Sequence, residues 1–310
     1  PTDVFKRAFM MRAGAAIDLT PSDFPQILAD VANKSVLLGF GEAAETWQVW
    51  CRVGNLSDFK VAHRVGLSSF EDLEMIGAGG EYPYGKFTDT GETIQLAGYG
   101  KIFPITRQAM INDDLQVLTA IPEKMGRAAA RIPGDLAYIA LTSNPLMSDG
   151  VALFDAAHNN IGTGGAIAIT TVEEAGTLMA LQTDVSGSAT GLNTEIGFLL
   201  VPRQLKGTAE TLRRSEFDPG DTGNTRAPNS VQNTFEVVSE ARLSADSAAQ
   251  WYAVAQTRFD TIEVAFLDGV QEPRVEEKAG WTVDGVEFKI ALDVAASPME
   301  FRSFVRNAGA

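Results

Sequence analysis

A chain of 310 residues with 45% hydrophobic content can bury one large core or two modest ones, and no apolar run approaches the roughly 18 residues that cross a bilayer. Forty acidic residues against 25 basic ones give a formal charge of −15, which repels phosphate backbones and argues against a dedicated nucleic-acid binder. The single cysteine, Cys51, excludes an intrachain disulfide and suits a reducing compartment.

The first residue is Pro1, without methionine or the layout of a secretion signal, so the chain is expected to be either trimmed or matured by proteolysis upstream. Residues 1–20 mix Lys6, Arg7 and Arg12 with Phe5, Phe9, Met10 and Met11 and show no core-facing period. They read as an arm ordered by its neighbours or as a frayed terminus. Ser22 or Asp23 caps a helix with Pro25 in its first turn, and Leu28, Val31, Ala32, Ser35 and Leu38 form its expected buried side. Gly39 and Gly41 are expected to stop it. Trp47 and Trp50 then belong to a short segment expected to anchor the arm to the body.

An extended flap follows. Residues 61–73, 93–96 and 101–106 have strand character, 77–85 form the tip, and Gly98 to Gly100 suit a turn or bulge. A two-stranded ribbon is marginal in water, so this one is expected to lie against something else, such as another copy of the chain. Asn112 then caps a long helix, with Asp113 and Asp114 where the helix dipole favours carboxylates. Leu115, Leu118, Met125, Ala128, Ala129, Ile132, Leu136, Ile139 and Ala140 recur at three- and four-residue steps and predict one apolar stripe. Glu123, Lys124, Arg127, Arg131 and Asp135 fall on other faces. Pro122 and Pro133 predict a kinked rod or two stacked segments, ending at 143–145.

Residues 143–165 are turn-rich. Thr170 or Thr171 is expected to start a helix with Glu173 and Glu174 in its first turn, reaching about Gln182. Ile196 to Val201 is a continuous apolar run closed by Pro202, hence a buried strand, and a helix from Arg203 to Arg214 completes a strand–helix unit. Residues 217–232 have the composition of a long exposed loop with little to bury. Strand-like runs at 234–238, 251–255, 261–267, 274–277 and 286–293 concentrate sheet in the last third, so the fold class is α+β. Phe301 to Val305 is a closing strand or a helical turn, and the chain is expected to be loose from Asn307.

Chemistry is hard to assemble from these parts. The two histidines are His63 and His158; Asp155 and His158 are spaced to share a helical face, but a metal needs further ligands, and a satisfied loop histidine accounts for the pattern. No G-x-S-x-G elbow is present. Trp50 and Val53 flank Cys51 and Arg52, which reads as an inert buried thiol. Asp113 and Asp114, adjacent on a helix, do not face one another. GAGGEYPYG lacks the closing Gly-Lys-Ser/Thr of a phosphate loop, and GTGG at 162–165 is out of the required order. No catalytic, metal or cofactor site is assigned, and the chain reads as no enzyme.

In order along the chain from about Gly80, GEYPYG, YGKIFPITRQAMINDDL, IPEKMGRAAAR, SNP followed by DGVALF and HNN, LLVP, IEVAFLDG, EP and VEFKI resemble the major capsid (head) proteins of tailed bacteriophages, most closely the Mu-like major head subunit. The resemblance implies a Hong Kong 97-type capsid fold with an N-terminal arm (1–55), an extended loop (56–106), a peripheral domain with a spine helix (107–165), an axial domain (166–260) and closing strands returning to the peripheral domain (261–310). It implies inter-subunit contacts by Phe5 and Arg7 of the arm and by Glu81, Tyr82, Tyr84, Lys86 and Lys101 of the loop. Asn112, Asp113, Leu115, Leu118, Arg127 and Arg131 would lie on the spine. The implied role is self-assembly, as hexamers and pentamers, into an icosahedral shell around double-stranded DNA held without sequence-specific contacts. Portal and decoration proteins are further implied partners, with no cofactor and no membrane, assembly in the host bacterial cytoplasm, residence in the virion, and removal of an upstream segment by the head protease. Some relatives crosslink a loop lysine to a neighbour's asparagine; Lys86 and Lys101 lie in the right region, but no asparagine or assisting acid is assigned by motif. The alternatives are a bacterial nanocompartment shell of the same fold and, in a different class, a soluble hydrolase or metal enzyme using Asp155 and His158.

Overall fold

Continuous apolar runs become buried strands, and the helices start and stop on local chemistry. In the computed structural model, residues 23–64, 75–76, 80, 91–106, 115–183, 191–220, 226–256, 261–279 and 285–310 are described. Their elements are α1 (Asp23–Glu42), α2 (Trp47–Trp50), β1 (Arg52–Leu56), β2 (Ala62–Arg64), β3 (Glu92–Ile94), β4 (Ala97–Thr106), α3 (Leu115–Thr142), α4 (Ile169–Ala180), β5 (Ile196–Pro202), α5 (Lys206–Arg214), β6 (Glu236–Glu240), α6 (Ala241–Asp246), β7 (Trp251–Ala255), β8 (Ile262–Leu267), β9 (Arg274–Ala279), β10 (Gly285–Pro298) and β11 (Phe304–Asn307). They fall into two compact units, one of 1–43, 100–129 and 272–292, the other of 44–99, 130–271 and 293–310.

In the smaller unit, Val36, Ala129 and Ile290 form an apolar cluster with Phe40, Met125 and Val275 against it. Gly39 does not stop α1, which runs on to Glu42. A Cβ at Gly39 would overlap the Glu123 backbone, and one at Gly126 would overlap the Val36 carbonyl oxygen. The two glycines therefore let α1 and α3 approach backbone to backbone. Leu38, expected on the buried side of α1, is 66% exposed, while Ala32 and Val36 are buried. Arg127 joins the same helices by pairing with Glu42 at 2.7 Å and with Glu123. β9 pairs antiparallel with β10, from Val286↔Ala279 to Ala291↔Arg274.

The long helix α3 is one uninterrupted element through both prolines, so the two-segment alternative fails. Its buried side agrees with the predicted stripe at Ala129, is half-buried at Met125, Ile132, Leu136 and Ala140, and departs from it elsewhere. Ala128 and Ile139 face outward, Ile139 being 57% exposed, whereas Ala129, Ala130, Ala137, Tyr138 and Leu141 are buried together with Pro122, Gly126, Pro133 and Gly134. Glycine and proline share the inner face with Tyr138 and Leu141, and a rule that counts only apolar side chains and passes over glycine and proline shifts the line of the stripe.

The core of the larger unit is a four-stranded sheet in the order β11-β7-β5-β6. β5 pairs parallel with β6 and antiparallel with β7, which pairs antiparallel with β11. The helix α5 crosses between β5 and β6, the geometry that a parallel pair requires. One face of the sheet buries Leu199, Val201, Trp251, Ala253 and Val305 under Val172, Ala175 and Met179 of α4 and Ala209 and Leu212 of α5. On the other side, Phe154 meets Tyr252 at a tilt with ring centroids 5.4 Å apart and Phe304 edge-on at 6.3 Å. The helix α4 starts at Ile169, two residues before Thr171, whose Oγ1 accepts from the Ala168 amide to close its first turn.

The segment expected to be an exposed loop is fastened at its base. Asn229 is buried and its Nδ2 donates to the carbonyls of Leu212 and Ser215, satisfying the end of α5, while its Oδ1 accepts from the Val231 amide. The Asp218 amide donates to Ala227 at 2.9 Å, and Val231 and Phe235 enter the core; residues 221–225 are outside the described residues. Asn307 is likewise not loose: it is buried, and its Oδ1 accepts from the Gly165 and Gly309 amides.

A second set of strands in the larger unit places β1 parallel to β8, from Arg52↔Glu263 to Leu56↔Leu267, and β8 antiparallel to residues 294–298 of β10. β4, a neighbour of β10, runs through Gly98 and Gly100 without the expected turn. A Cβ at Gly98 would stand 3.0 Å from Asp293 Oδ1 and one at Gly100 2.8 Å from the Ile290 carbonyl, so these glycines serve close strand approach.

Candidate functional site

The expected flap has a described root. β2 pairs antiparallel with β3 over Ala62↔Ile94, His63↔Thr93 and Arg64↔Glu92, and the tip residues lie outside the described ones. Three residue pairs bury little, and the ribbon is held by what lies beneath it. Ile94 and Leu96 are buried with Leu56, Ala265, Ala295 and Met299. The Arg64 guanidinium donates through Nη2 to Glu263 Oε1 at 2.7 Å and to the Asn55 carbonyl at 2.9 Å. Ser297 Oγ donates to the Thr93 carbonyl at 3.0 Å, and the Ser148 amide and hydroxyl donate to the Glu92 carboxylate.

Glu263 is the unusual member. It sits in β8 among Ile262, Val264, Ala265 and Phe266 and is 1% exposed, and among the described residues neither its Oε2 nor the buried Nε of Arg64 has a hydrogen-bond partner. A Cβ at Gly54 on the adjoining strand would overlap its carboxylate, so glycine makes the space that the acid occupies.

A second polar cluster ties 45–50 to 131–138 and 240–242. Arg242 donates to Glu45 at 2.9 Å, to Asp135 at 2.6 Å and to the Arg131 carbonyl at 3.3 Å, and stands 5.7 Å over the Tyr138 ring. Trp50 Nε1 donates to the Tyr138 hydroxyl at 3.1 Å, which shares a 2.7 Å hydrogen bond with Thr46; Thr46 in turn donates to Glu240. Burial raises the Glu45 carboxyl above its ordinary range despite the pull of Arg242, and burial also pushes up the Tyr138 phenol. Every charged group here is committed to another.

Asp155 and His158 do not converge on a site. Asp155 Oδ1 accepts from the Ala157 amide and caps the 3-10 turn Ala156–His158. His158 is buried with Nε2 2.7 Å from Asp149 Oδ2, Nδ1 3.2 Å from the Leu153 carbonyl, and its ring stacked at 3.8 Å on Phe301. The imidazole thus closes the turn of residues 147–151, and among the described residues no group of three or more His, Cys, Asp or Glu is placed to hold a metal. Cys51 is buried, which pushes its thiol well up. An enclosed void of about 10 Å³, lined in part by Ala32, Val36, Phe103 and Met125, has room for at most one water.

The residues expected at inter-subunit contacts and those expected on the spine helix fall as follows. Phe5, Arg7, Glu81, Tyr82, Tyr84, Lys86, Asn112 and Asp113 lie outside the described residues. Leu115 and Leu118 belong to α3, with side chains outside the described ones. Lys101 is exposed on β4, Arg127 pairs with acids of α1 and α3, and Arg131 is exposed while its carbonyl receives Arg242. Sequence reasoning missed Arg64, Gly54, Glu263 and Arg242. A charged residue interrupting the apolar run of β8 was the available signal for Glu263; its partner lies 199 positions away, and nothing local announces it.

Among the described residues no helix is long and apolar enough to cross a membrane. A comparison with curated proteins returns no match. Solved structures do match. A virus-like particle from Pyrococcus furiosus is 13% identical, with a TM-score of 0.51 over 90% of this chain and 98% of that one. The capsid of the cyanophage P-SCSP1u is 12% identical, with a TM-score of 0.55 over 86% and 89%, and the procapsid of bacteriophage JBD30 is 13% identical, with a TM-score of 0.52 over 94% and 77%. At this identity the likeness establishes the fold, a mixed α+β one of the Hong Kong 97 capsid type. Residues 90–307 match the sequence family described as phage capsid protein. The chain belongs to the phage capsid protein family.

Proposed function

We propose that this chain is the major head subunit of a tailed bacteriophage, of the Mu-like type, which assembles as hexamers and pentamers into the icosahedral shell around packaged double-stranded DNA. The family match over residues 90–307 carries this reading. The short β2–β3 ribbon supports it, because a two-stranded element with so little surface of its own gains stability when another subunit covers it. Shells are built from such repeated heterologous contacts. The charge of −15 agrees with a wall that encloses DNA without gripping it.

On this reading the arm, extended loop, peripheral domain, axial domain and closing strands divide the chain as the resemblance implies. An upstream segment is removed before maturity, portal and decoration proteins join the shell in the host cytoplasm, and the product resides in the virion. The role is structural, and no residue has a reaction to perform.

Negative-stain electron microscopy of the purified chain tests the reading. Closed particles are expected, and deletion of residues 81–86 is expected to abolish them. A monodisperse monomer at high concentration, or normal particles after the deletion, would count against it. Nucleic acid inside particles recovered from infected cells favours the phage head, whereas protein cargo favours the nanocompartment alternative.

A further inference from the structure

We propose that the Arg64–Glu263 pair, seated over Gly54, is a positioning device that fixes the orientation of the β2–β3 ribbon for assembly and contributes little to the stability of the subunit. This rests on the shell reading above and assigns a role within it.

Glu263 is buried in a strand otherwise made of Ile262, Val264, Ala265, Phe266 and Leu267, and among the described residues only one of its carboxylate oxygens has a partner. Among the same described residues the buried Nε of Arg64 also has no partner. Glu263 loses nearly all of its water while the Arg64 side chain stays 34% exposed, so the attraction is partly screened and recovers little of what the acid loses, and an apolar pair of similar volume would serve stability equally well or better. Space has also been cleared for it, because any side chain at position 54 would overlap the acid.

What the pair does supply is direction. The apolar contacts of Ile94 and Leu96 hold the ribbon down but tolerate sliding and rotation, since hydrophobic contact is non-directional. Arg64 donates at once, through Nη2, to a side-chain oxygen on β8 and a main-chain oxygen on β1, at 2.7 and 2.9 Å, and acceptors on two different strands are both met only in a narrow range of positions. The Ser297 hydroxyl at the Thr93 carbonyl fixes the other strand. A ribbon so pinned leaves its subunit at one angle, and in a closed shell an error of angle is repeated at every copy.

Two measurements on the full chain test this: amide exchange at 62–64 and 92–94 in the unassembled subunit, and particle yield by sedimentation and electron microscopy. R64M/E263M is expected to melt at or above the wild-type temperature and to keep β8 protected, while the ribbon exchanges about tenfold faster and the concentration required for particles rises about tenfold. R64K keeps the charge on a shorter side chain that reaches the two oxygens less well, and is expected to fall between it and the wild type. Should R64M/E263M fail to fold, E263Q carries the same readouts.

Wild-type exchange in the ribbon of either variant overturns the proposal whatever happens to assembly. So does a loosened ribbon that still builds normal particles at wild-type concentration. If the wild-type chain itself yields no particles, the shell reading fails and the assembly role fails with it, while the exchange data still decide whether the pair orients the ribbon.

Discussion

The four-stranded sheet and the β2–β3 ribbon belong to the same unit and are stabilised in opposite ways. The sheet is sealed on both faces: β7 is buried at all five positions, Trp251 donates its indole N–H to the Gly165 carbonyl, and α4 and α5 close one side. The ribbon has three residues to a strand, two buried apolar anchors on β3 and its continuation, and a set of directional polar contacts below. Area supplies stability without orientation, and polar contacts supply orientation with little net stability. A protein that must be both folded and correctly posed against copies of itself has use for both.

The largest test of that contrast is to hollow the sheet. Trp251→Ala is expected to destabilise the chain by about 3–5 kcal/mol in chemical denaturation, since a fully buried indole leaves a cavity and an unpaired carbonyl. A loss below about 1 kcal/mol would show that the sheet is not the stabilising core. Next in size is Gly126→Val, whose side chain would strike the Val36 carbonyl and part α1 from α3, at a cost of about 1–3 kcal/mol or more. An unchanged melting temperature would refute the close contact.

A smaller effect separates fastened loops from loose ones. Asn229→Ala removes the amide that satisfies the Leu212 and Ser215 carbonyls at the end of α5, and is expected to cost about 1–2 kcal/mol with faster proteolysis at 217–228. Proteolysis at the wild-type rate would mean that the loop is held by other contacts.

The smallest effects are electrostatic and run in opposite directions. Burial acts to raise the Asp149 carboxyl, but the hydrogen bonds from His158 and the Val151 amide outweigh it and hold the group below its ordinary value. Its contribution is therefore present above the usual carboxylate range and lost as pH falls through its depressed folded value. Glu45 is shifted the other way, upward, by burial, so the folded chain takes up its proton first, and this contribution grows as pH falls from the raised value toward the ordinary one. Asp149→Asn should flatten the acid limb of a stability–pH curve, and Glu45→Gln should remove the gain above it. Identical curves for both variants would contradict the assignment.

Much of this was legible in the sequence for a plain reason: strands built on continuous apolar runs declare themselves. GFLLVP, WYAVA and IEVAFL became β5, β7 and β8 close to their expected ends, and the helix after β5 followed. The glycines were the hard case. Gly39, Gly98 and Gly100 read as stops or turns because glycine commonly ends elements, yet each lies inside one, where a neighbouring backbone or side chain comes too close for a Cβ. For the same reason the buried line of α3 passes through alanine, glycine and proline and misses Ile139.

The order of motifs from about Gly80 onward, and with it the family, was contained in the sequence by itself, as were the α+β class and the strands with continuous apolar cores. Only the tertiary structure decided that Arg64 meets Glu263, that Arg242 gathers Glu45 and Asp135, and that His158 serves Asp149 instead of a metal. Periodicity reports the burial of a residue's own side chain, which is a local property of the chain. Pairing between charges far apart in sequence depends on which strands the fold lays side by side, and that is set by the packing of the whole unit.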